Sequence, residues 1–510
     1  MSVADPLADP LPATIRLDPM FTVGALRRRL FGSFVEHLGR CVYTGIYEPG
    51  HPTADGYGFR RDVAELITEL GPTIIRYPGG NFVSGYDWRD GIGPVDQRPT
   101  RLDFAWNAVE SNRVGTDEFL QWCGRLGLEP MLAVNLGTAG VREAMELLQY
   151  VNAAAGTTIS DERAGNGHPE PYGVRFWCLG NEMDGPWQLG FKTPQEYGRL
   201  AAETGRAMRM FDRSLQLVAC GSSNRGMPTF GTWEREVLDR CFDQVDLISA
   251  HAYYEPVGGD HQSFLASAED LRRFVASVVA TADHVAATQR SDKQIMISFD
   301  EWNVWFQERF AGRDAERVKA ARDLVEDSYD VQDAVVVGSL MIELLRNTDR
   351  VAVACQAQLV NVIAPIMTRP GGSAWRQTIF HPFALTTRHA KPMVLDVAAA
   401  GPVISTGRYG PVDQLHSVAT FDEQDGELVI FAANRSLTDS LELTIDPVGF
   451  GAAASVIEHL MITDADPHAH NTEEDPDRVI PVPGNTKIEG DRVTAVLPPI
   501  SWHCVRLSIG

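Results

Sequence analysis

The segments Arg175-Phe-Trp-Cys-Leu-Gly-Asn-Glu182 and Gln294-Ile-Met-Ile-Ser-Phe-Asp-Glu301 each end a short apolar run on a glutamate. Both runs have the length and composition of buried β-strands, and turn-forming or charged residues flank them. A carboxylate at the end of a buried strand contributes little to packing. It is well placed for chemistry in a parallel barrel, because the active site of such a barrel lies at that end of its strands.

Strand-like runs and helical patterns alternate along the first three quarters of the chain. Strands are predicted at Leu30–Phe34, Thr73–Tyr77, Pro130–Asn135, Val174–Leu179, Leu215–Cys220, Val245–Ala250, Gln294–Phe299 and Val351–Gln356. Amphipathic helices are predicted at Phe59–Leu70, Thr116–Leu126, Val141–Val151, Pro194–Phe211, Ala268–Ala287 and Val331–Asn347. This alternation predicts a (β/α)8 TIM barrel. A doubly wound sheet is the alternative, but no Gly-x-Gly-x-x-Gly motif follows any predicted strand.

After about residue 390 the sequence changes to short strands separated by Gly, Pro and Asp turns. The strand-like segments there are Gln414–Phe421, Glu427–Ala432, Leu441–Ile445, Ala454–Met461 and Val493–Leu497. They predict a C-terminal all-β sandwich of jelly-roll type. The predicted division is an N-terminal segment (residues 1–25) whose strand joins the sandwich, a barrel (26–390) and the β-sandwich domain (391–510).

Composition limits the classes of partner and compartment. The net charge of −23 over 510 residues argues against nucleic acid, because binding phosphates requires clustered Lys and Arg. A neutral sugar would be neither attracted nor repelled by that charge. No signal peptide and no apolar stretch of membrane-spanning length is recognised, so no membrane association is expected. Seven cysteines without Cys-x-x-Cys pairs fit reduced thiols, and a cytoplasmic location is expected.

Polar or ionisable side chains stand at the ends of nearly all the predicted barrel strands. They are Glu36, Arg76, Asn81, Asn135, Asn181, Glu182, His251, Tyr253, Asp300, Glu301, Gln356 and Gln358. A single such residue is typical of a cap or an ion pair. The whole set at one end of one barrel predicts an active site.

Glu182 and Glu301 are the pair that glycosidic bond cleavage requires. Cleavage with retention needs a nucleophile for the anomeric carbon and an acid that protonates the leaving oxygen. Strands four and seven of an eight-stranded barrel face each other, so these carboxylates are expected about 5 Å apart, which favours retention over inversion. The alternation of side chains along a strand implies that only one of Asp300 and Glu301 faces the interior, and Glu301 is favoured.

Three longer motifs resemble glycoside hydrolase family 51, which comprises mainly α-L-arabinofuranosidases. They are Cys178-Leu-Gly-Asn-Glu-Met-Asp-Gly-Pro-Trp187-Gln188, Gly79-Gly-Asn81-Phe-Val-Ser-Gly-Tyr-Asp-Trp88-Arg89 and Phe299-Asp-Glu301-Trp-Asn-Val-Trp305. The resemblance covers nearly the whole chain. It implies a retaining mechanism with Glu182 as acid/base and Glu301 as nucleophile.

The resemblance also implies contacts with the sugar that is cleaved off. The implied contacts are Glu36, Arg76, Asn81, Asn181, Tyr253 and Gln358, and Gln358 fits the family pattern better than Gln356. Trp106 and Trp305 are candidates for stacking on the sugar or its leaving group, with an ordinary core or rim aromatic as the alternative. His251 is a candidate to support Tyr253 or the acid pair, with an ordinary hydrogen-bonded histidine as the alternative.

The function expected from these patterns is exo-acting hydrolysis of terminal α-L-arabinofuranosyl residues from arabinan- or arabinoxylan-derived oligosaccharides. An endo-β-1,4-glucanase or xylanase on the same scaffold is the alternative. A non-catalytic carbohydrate-binding protein is a third possibility, and it predicts the loss of at least one carboxylate. No metal or organic cofactor is expected. The resemblance implies a homohexamer.

Overall fold

A computed structural model describes residues 9–310, 319–450, 453–490 and 492–509. Its strands are β1 (Leu11–Arg16), β2 (Thr22–Ala25), β3 (Gly32–Phe34), β4 (Ile74–Tyr77), β5 (Arg101–Asp103), β6 (Ala108–Glu110), β7 (Glu129–Val134), β8 (Phe176–Leu179), β9 (Gln216–Ala219), β10 (Leu247–Tyr254), β11 (Met296–Val304), β12 (Val351–Gln356), β13 (Ile366–Thr368), β14 (Ala374–Arg376), β15 (Met393–Leu395), β16 (Ala398–Ala400), β17 (Val403–Thr406), β18 (Gly410–Asp413), β19 (Leu415–Asp422), β20 (Glu427–Asn434), β21 (Leu441–Asp446), β22 (Ala453–Ile462), β23 (Val482–Pro483), β24 (Thr486–Glu489), β25 (Arg492–Leu497) and β26 (Ser501–Ile509). Its α-helices are α1 (Arg61–Leu70), α2 (Thr116–Leu126), α3 (Val141–Asn152), α4 (Thr158–Gly165), α5 (Pro194–Phe211), α6 (Thr232–Cys241), α7 (His261–Leu265), α8 (Ala268–Gln289), α9 (Val331–Arg346) and α10 (Phe380–His389).

Eight parallel strands close into a barrel in the order β3, β4, β7, β8, β9, β10, β11 and β12. The barrel closes where β12 pairs with β3. Each of the eight predicted strands corresponds to one of these, so the (β/α)8 prediction is confirmed and the doubly wound alternative is wrong. Two strands are longer than predicted, since β10 runs on to Tyr254 and β11 to Val304. These extensions carry polar side chains out to the barrel mouth.

The helices follow from their apolar spacing and their caps. In α1 the buried residues Val63, Leu66, Ile67 and Leu70 recur at three- and four-residue intervals, which places them on one face. The predicted start of α5 is confirmed, because the Thr193 side chain accepts a hydrogen bond from the Glu196 amide in a capping box. The helices α4, α6, α7 and α10 were not predicted, and neither were the hairpins β5–β6 and β17–β18.

Helix α9 differs from the amphipathic helix that was predicted there. All residues from Val331 to Leu345 are buried. One side of α9 packs against the barrel and the other against a seven-stranded sheet that contains β19, β20 and β26. A helix covered on all sides has no exposed face, so the polar residues Gln332, Asp333 and Glu343 of α9 are buried with the apolar ones.

Two sheets face each other in the C-terminal part of the chain. The seven-stranded sheet has the order β2-β15-β19-β20-β26-β22-β23, and the five-stranded sheet has the order β16-β1-β21-β25-β24. Ile15, Ile430 and Leu443 lie in the apolar core between them. The C-terminal all-β prediction is confirmed. The first strand β1 lies parallel to β21, while the exact boundaries at residues 25 and 390 stay predictions. No helix among the described residues is long and apolar enough to cross a membrane.

We expect the contact between α9 and β26 to be intolerant of added volume. A Cβ atom on Gly338 would lie 2.2 Å from Cδ1 of the buried Trp502 indole. Gly338→Ala should therefore lower the free energy of unfolding by about 1–3 kcal/mol, measured by urea unfolding. Gly124→Ala in α2 is the matched control, because no heavy atom lies within 4 Å of its added Cβ. It should stabilise the protein by about 0.5–1 kcal/mol. Equal effects of both substitutions would contradict the packing argument.

Candidate active site

The carboxylate of Glu182 is placed at the barrel mouth by a sharp turn after β8. Gly180 has φ = +92°, and Glu182 itself has φ = +43°. Residues other than glycine rarely adopt this left-handed backbone conformation. The turn brings Trp187 back over Glu182, and the indole Nε1 donates a hydrogen bond of 2.7 Å to Oε2. Such local strain is typical of residues whose position is fixed by function.

A β-bulge in β11 places both Asp300 and Glu301 inside the barrel. Between Ser249 and His251 on β10, the paired positions on β11 advance from Ser298 to Glu301, so β11 contains one extra residue. The same extra residue shows against β12. The expectation that only one of the two carboxylates faces inward is therefore wrong. A bulge interrupts the alternation of side chains and re-aims the residues next to it.

Arg76 on β4 connects three of these groups. Its Nη1 donates to Glu301 Oε1 at 2.6 Å, and its Nη2 donates to Asn181 Oδ1 at 2.6 Å. Its Nε lies 3.8 Å from Asp300 Oδ2. The guanidinium is buried and rests 4.8 Å from the centre of the Phe34 ring. The fork therefore fixes the ends of β4, β8 and β11 relative to one another.

His251 on β10 lies between three carboxylates. Its Nδ1 is 3.0 Å from Glu182 Oε1 and 3.6 Å from Glu301 Oε2, while its Nε2 is 3.0 Å from Asp300 Oδ1. Burial acts to lower the pKa of His251, but the charges and hydrogen bonds of Glu301, Asp300 and Glu182 outweigh burial and raise that pKa to about 10. The imidazole is therefore charged at neutral pH.

Two cations and three carboxyl groups lie together in this buried cluster. Arg76 and His251 contact Asp300, Glu301 and Glu182. Burial acts to raise the pKa of Asp300, but Arg76 and His251 outweigh it and hold that pKa below its usual range. Asp300 is therefore an ionised partner of both cations.

Glu36 is a further buried carboxyl group at the cavity, and it accepts several hydrogen bonds. Its Oε1 accepts from the Phe82 amide at 2.9 Å and from Trp106 Nε1 at 3.0 Å, and its Oε2 accepts from Gln358 Nε2 at 3.0 Å. Burial raises the pKa of Glu36 to about 8, although the hydrogen bonds from Phe82 and Trp106 act to lower it. Gln356 lies apart from this cluster and donates to Asn303 instead.

These groups surround a cavity of about 1030 Å³ at the barrel mouth. Eight of the eleven predicted site residues line it: Glu36, Asn81, Trp106, Glu182, Tyr253, Glu301, Trp305 and Gln358. Arg76 and His251 contact the carboxylates from outside this lining, and Asn181 accepts a hydrogen bond from Arg76. The Tyr253 hydroxyl donates to Glu301 Oε2 at 2.9 Å, and its ring packs edge-on against Trp305 with centroids 5.1 Å apart.

Comparisons with known proteins agree with this geometry. Two family models match, the α-L-arabinofuranosidase 1 domain over residues 66–272 and the α-L-arabinofuranosidase C-terminal domain over residues 300–501. An intracellular exo-α-(1→5)-L-arabinofuranosidase from Streptomyces lividans is 55% identical over 97% of this chain and 75% of its own length. An exo-α-(1→6)-L-arabinofuranosidase from Bifidobacterium longum is 50% identical over 96% of each chain.

The solved structure of a family 51 α-L-arabinofuranosidase from Bifidobacterium longum matches with a TM-score of 0.94 at 46% identity. The match covers 98% of this chain and 100% of that one. This chain belongs to glycoside hydrolase family 51. As a member of family 51, it is a glycoside hydrolase built on a TIM barrel with a C-terminal all-β domain.

Some residues of this family 51 site were not predicted. Trp187 stood in a quoted motif, but its hydrogen bond to Glu182 depends on the turn after β8, which spacing alone does not reveal. Arg408 and Tyr409 also line the cavity. They belong to the β17–β18 hairpin, which comes after the barrel in sequence, so no local signal connects them to the site.

Glu182, His251 and Glu301 also form the one cluster, among the described residues, whose ligand atoms are close enough to share a cation. The donors around it argue against that use. Trp187, Tyr253 and Arg76 already donate to the two glutamates. The charged His251 would also repel a cation. The cluster is therefore better suited to acid–base chemistry than to metal binding.

We expect Glu36 to make stability depend on pH. Because its pKa is raised in the folded state to about 8, its contribution is fully present below the unfolded pKa near 4.5 and is lost as pH rises through about 8. Glu36→Gln should therefore flatten the fall of the melting temperature between pH 5 and pH 9. Glu129→Gln, at a partly exposed pair with Arg29, is the control and should keep the wild-type slope. An unchanged slope in Glu36→Gln would contradict the burial argument.

Proposed function

We propose that this protein is a retaining exo-acting α-L-arabinofuranosidase. It removes terminal non-reducing α-L-arabinofuranosyl residues from short arabinan- or arabinoxylan-derived oligosaccharides by double displacement. Glu301 is the nucleophile and Glu182 the acid/base. No cofactor takes part in this scheme.

The observation that carries the mechanism is the separation of the two carboxylates. An oxygen of Glu182 and an oxygen of Glu301 lie within 4.8 Å of one another. Retaining glycosidases place their carboxyl groups about 5–5.5 Å apart, whereas inverting enzymes leave about 6.5–9.5 Å for a water molecule. The short separation supports direct attack by a carboxylate on the anomeric carbon.

The surroundings of the two glutamates support different roles for them. Glu301 receives hydrogen bonds from the Arg76 guanidinium and the Tyr253 hydroxyl, and these two contacts fix the orientation of the carboxylate that acts as nucleophile. Glu182 lies across from Glu301, in the position from which a retaining enzyme protonates the leaving oxygen. It also faces the part of the cavity that opens past Trp187, where a leaving group has room. These are the positions of a nucleophile and of a general acid.

Unpartnered polar atoms support a sugar in the remaining space. Asn181 Nδ2, Gln358 Oε1 and Trp305 Nε1 are buried and have no hydrogen-bond partner among the described residues. Buried polar groups are costly unless they are hydrogen-bonded, so hydroxyls of a bound furanose would satisfy them. Asn181 Nδ2 and Glu301 Oε1 both lie within 3.4 Å of the position that a Cβ on Gly80 would take. Glycine at that position keeps the space between them open for the ring.

The endo-β-1,4-glucanase or xylanase alternative is not favoured. Relatives between 45% and 55% identical are named exo-acting α-L-arabinofuranosidases. The non-catalytic reading requires loss of a carboxylate, and both glutamates are present. Relatives of similar identity are named for (1→5) and for (1→6) linkages, so the linkage is a question for assay. The names of several relatives also support intracellular action, and a homohexamer remains a prediction for light scattering.

We expect azide to distinguish the two glutamates. On nitrophenyl α-L-arabinofuranoside, Glu182→Ala should lose roughly 10²- to 10⁴-fold in rate. Azide should then restore turnover and give the α-arabinosyl azide, because the covalent intermediate still forms on Glu301. Glu301→Ala should be inactive alone and should give the β-azide, since azide would attack the substrate directly.

The same assay tests the substrate. Wild-type enzyme should hydrolyse the arabinofuranoside in preference to the β-xyloside and the β-cellobioside, and the first sugar released should keep the α-configuration by proton NMR. A preference for the cellobioside would overturn the proposed substrate. Full activity of Glu301→Ala would overturn the mechanism.

A further inference from the structure

Asp300 is a fully buried carboxylate that the two-glutamate mechanism leaves without a role. The bulge in β11 turns it into the barrel beside Glu301. Its Oδ1 lies 3.0 Å from His251 Nε2, and its Oδ2 accepts a hydrogen bond of 3.1 Å from the Ser298 hydroxyl. The titratable or charged groups that face it are Arg76 on β4, Cys178 on β8, Cys220 after β9, His251 on β10, Glu301 on β11 and Cys355 on β12.

Asp300, His251 and Glu182 form a continuous chain of hydrogen-bonded groups. Each ring nitrogen of His251 lies 3.0 Å from a carboxylate oxygen, on Asp300 at one end and on Glu182 at the other. We propose that Asp300 is a positioning residue that holds His251 as an imidazolium and aims its Nδ1–H at Glu182. The inference rests on the proposed function. A carboxylate behind a catalytic imidazole orients the ring and stabilises its charged form in the same way.

The proton balance of the reaction explains why such a chain is useful. When Glu182 passes its proton to the leaving oxygen, the glycosidic bond breaks and Glu182 becomes an anion. The Nδ1–H of His251 then donates to that new anion, which lowers the energy of the proton transfer. In the second step Glu182 takes a proton back from the attacking water. Asp300 and His251 neither gain nor lose a proton over the cycle.

Leaving-group dependence distinguishes this role from a merely structural one. A nitrophenolate leaves with little protonation, whereas the alcohol released from arabinobiose requires a full proton from Glu182. In Asp300→Asn, kcat/KM for arabinobiose should fall by roughly ten- to a hundredfold more than kcat/KM for nitrophenyl arabinofuranoside. His251→Gln should enlarge the difference between the kcat/KM values of the two substrates in the same way. This variant replaces Asp300→Asn in the test if Asp300→Asn unfolds below the assay temperature. Equal losses on both substrates in these variants, or no loss, would overturn the proposal.

Asp103→Asn is the matched control for this experiment. Asp103 is also buried, and it accepts hydrogen bonds from the amides of Ala105 and Trp106, which hold Trp106 against Glu36 on the sugar side. Both substrates present the same arabinofuranose there, so both should lose the same factor. Failure of the wild type to hydrolyse either substrate would instead refute the proposed function.

A second inference rests on the far end of the cavity, beyond Glu182. A series of contacts connects the turn that carries Glu182 with this outer region. Asp184 accepts hydrogen bonds from Ser223, and Arg225 two residues later pairs with Asp270 at the start of α8. Asp270, Arg408 and Tyr409 then line the outer part of the same cavity. A volume of about 1030 Å³ is far larger than one furanose needs.

The β17–β18 hairpin is a rigid outer wall for that space. The Arg408 amide donates to Ser263 Oγ at 3.1 Å, and Arg273 Nη2 donates to the Tyr409 carbonyl at 3.0 Å. The Tyr409 ring is buried against Ala266 and Val412. The Arg408 side chain is exposed, and its guanidinium lies 5.8 Å from the centre of the Tyr409 ring. A fixed backbone and this ring therefore hold the donors of the guanidinium at the cavity.

We propose that Arg408 forms a distal subsite for the second sugar of the leaving group. A guanidinium can donate to two neighbouring hydroxyls at once, and sugar chains present such pairs. This proposal also rests on the proposed function, and it makes an oligosaccharide the preferred substrate. The first leaving-group sugar then lies beside Trp187, between Glu182 and the hairpin.

Chain length tests the distal subsite. With arabino-oligosaccharides of a linkage that the wild type cleaves, kcat/KM should rise from the disaccharide to the trisaccharide, which adds the second leaving-group sugar. Arg408→Ala should remove that rise, a loss of about tenfold. Arg142→Ala on α3, at a side chain 83% exposed outside the cavity, is the control and should keep the rise. A rise that persists in Arg408→Ala, or none in the wild type, would overturn the proposal.

Discussion

The buried fork of Arg76 is the constraint on which the rest of the site depends. Its two terminal nitrogens hold Glu301 and Asn181, which come from opposite sides of the barrel. A buried guanidinium is costly unless its charge is paired and hydrogen-bonded. Loss of either acceptor would leave a terminal nitrogen of Arg76 buried without its partner. The geometry of the reacting carboxylate and the stability of the barrel centre therefore depend on the same contacts.

Two local irregularities supply the acceptors that Arg76 and His251 require. The bulge in β11 turns Asp300 and Glu301 to the same side, and the left-handed turn at Glu182 brings its carboxylate over the mouth. A left-handed residue other than glycine costs about 1–3 kcal/mol. The hydrogen bonds from Trp187 and His251 to Glu182 offset that cost. Regular strands alone would place one carboxylate of the Asp300–Glu301 pair outside the barrel.

These irregularities also mark the limit of prediction from the sequence. The eight strands were predictable because parallel strands covered on both faces are continuously apolar. The polar residues at their ends were predictable as a set because one end of a barrel collects them. The inward turn of Asp300 was not, because strand alternation is a rule of period two that a bulge breaks. The complete burial of α9 was missed because its second cover, a sheet with Trp502, is distant in sequence.

The cavity is asymmetric, and this asymmetry is what exo action requires. On the sugar side Glu36 is held by Trp106, Gln358 and the Phe82 amide, so its carboxyl group is fixed for contact with the terminal sugar. On the Glu182 side the cavity continues to a hairpin of the C-terminal part. Exo action requires the terminal sugar on one side of the carboxylates and the rest of the chain on the other, and the Glu36 contacts and the outer cavity fit these two needs. The C-terminal part thus helps to define the entrance, while the barrel alone holds the reacting groups.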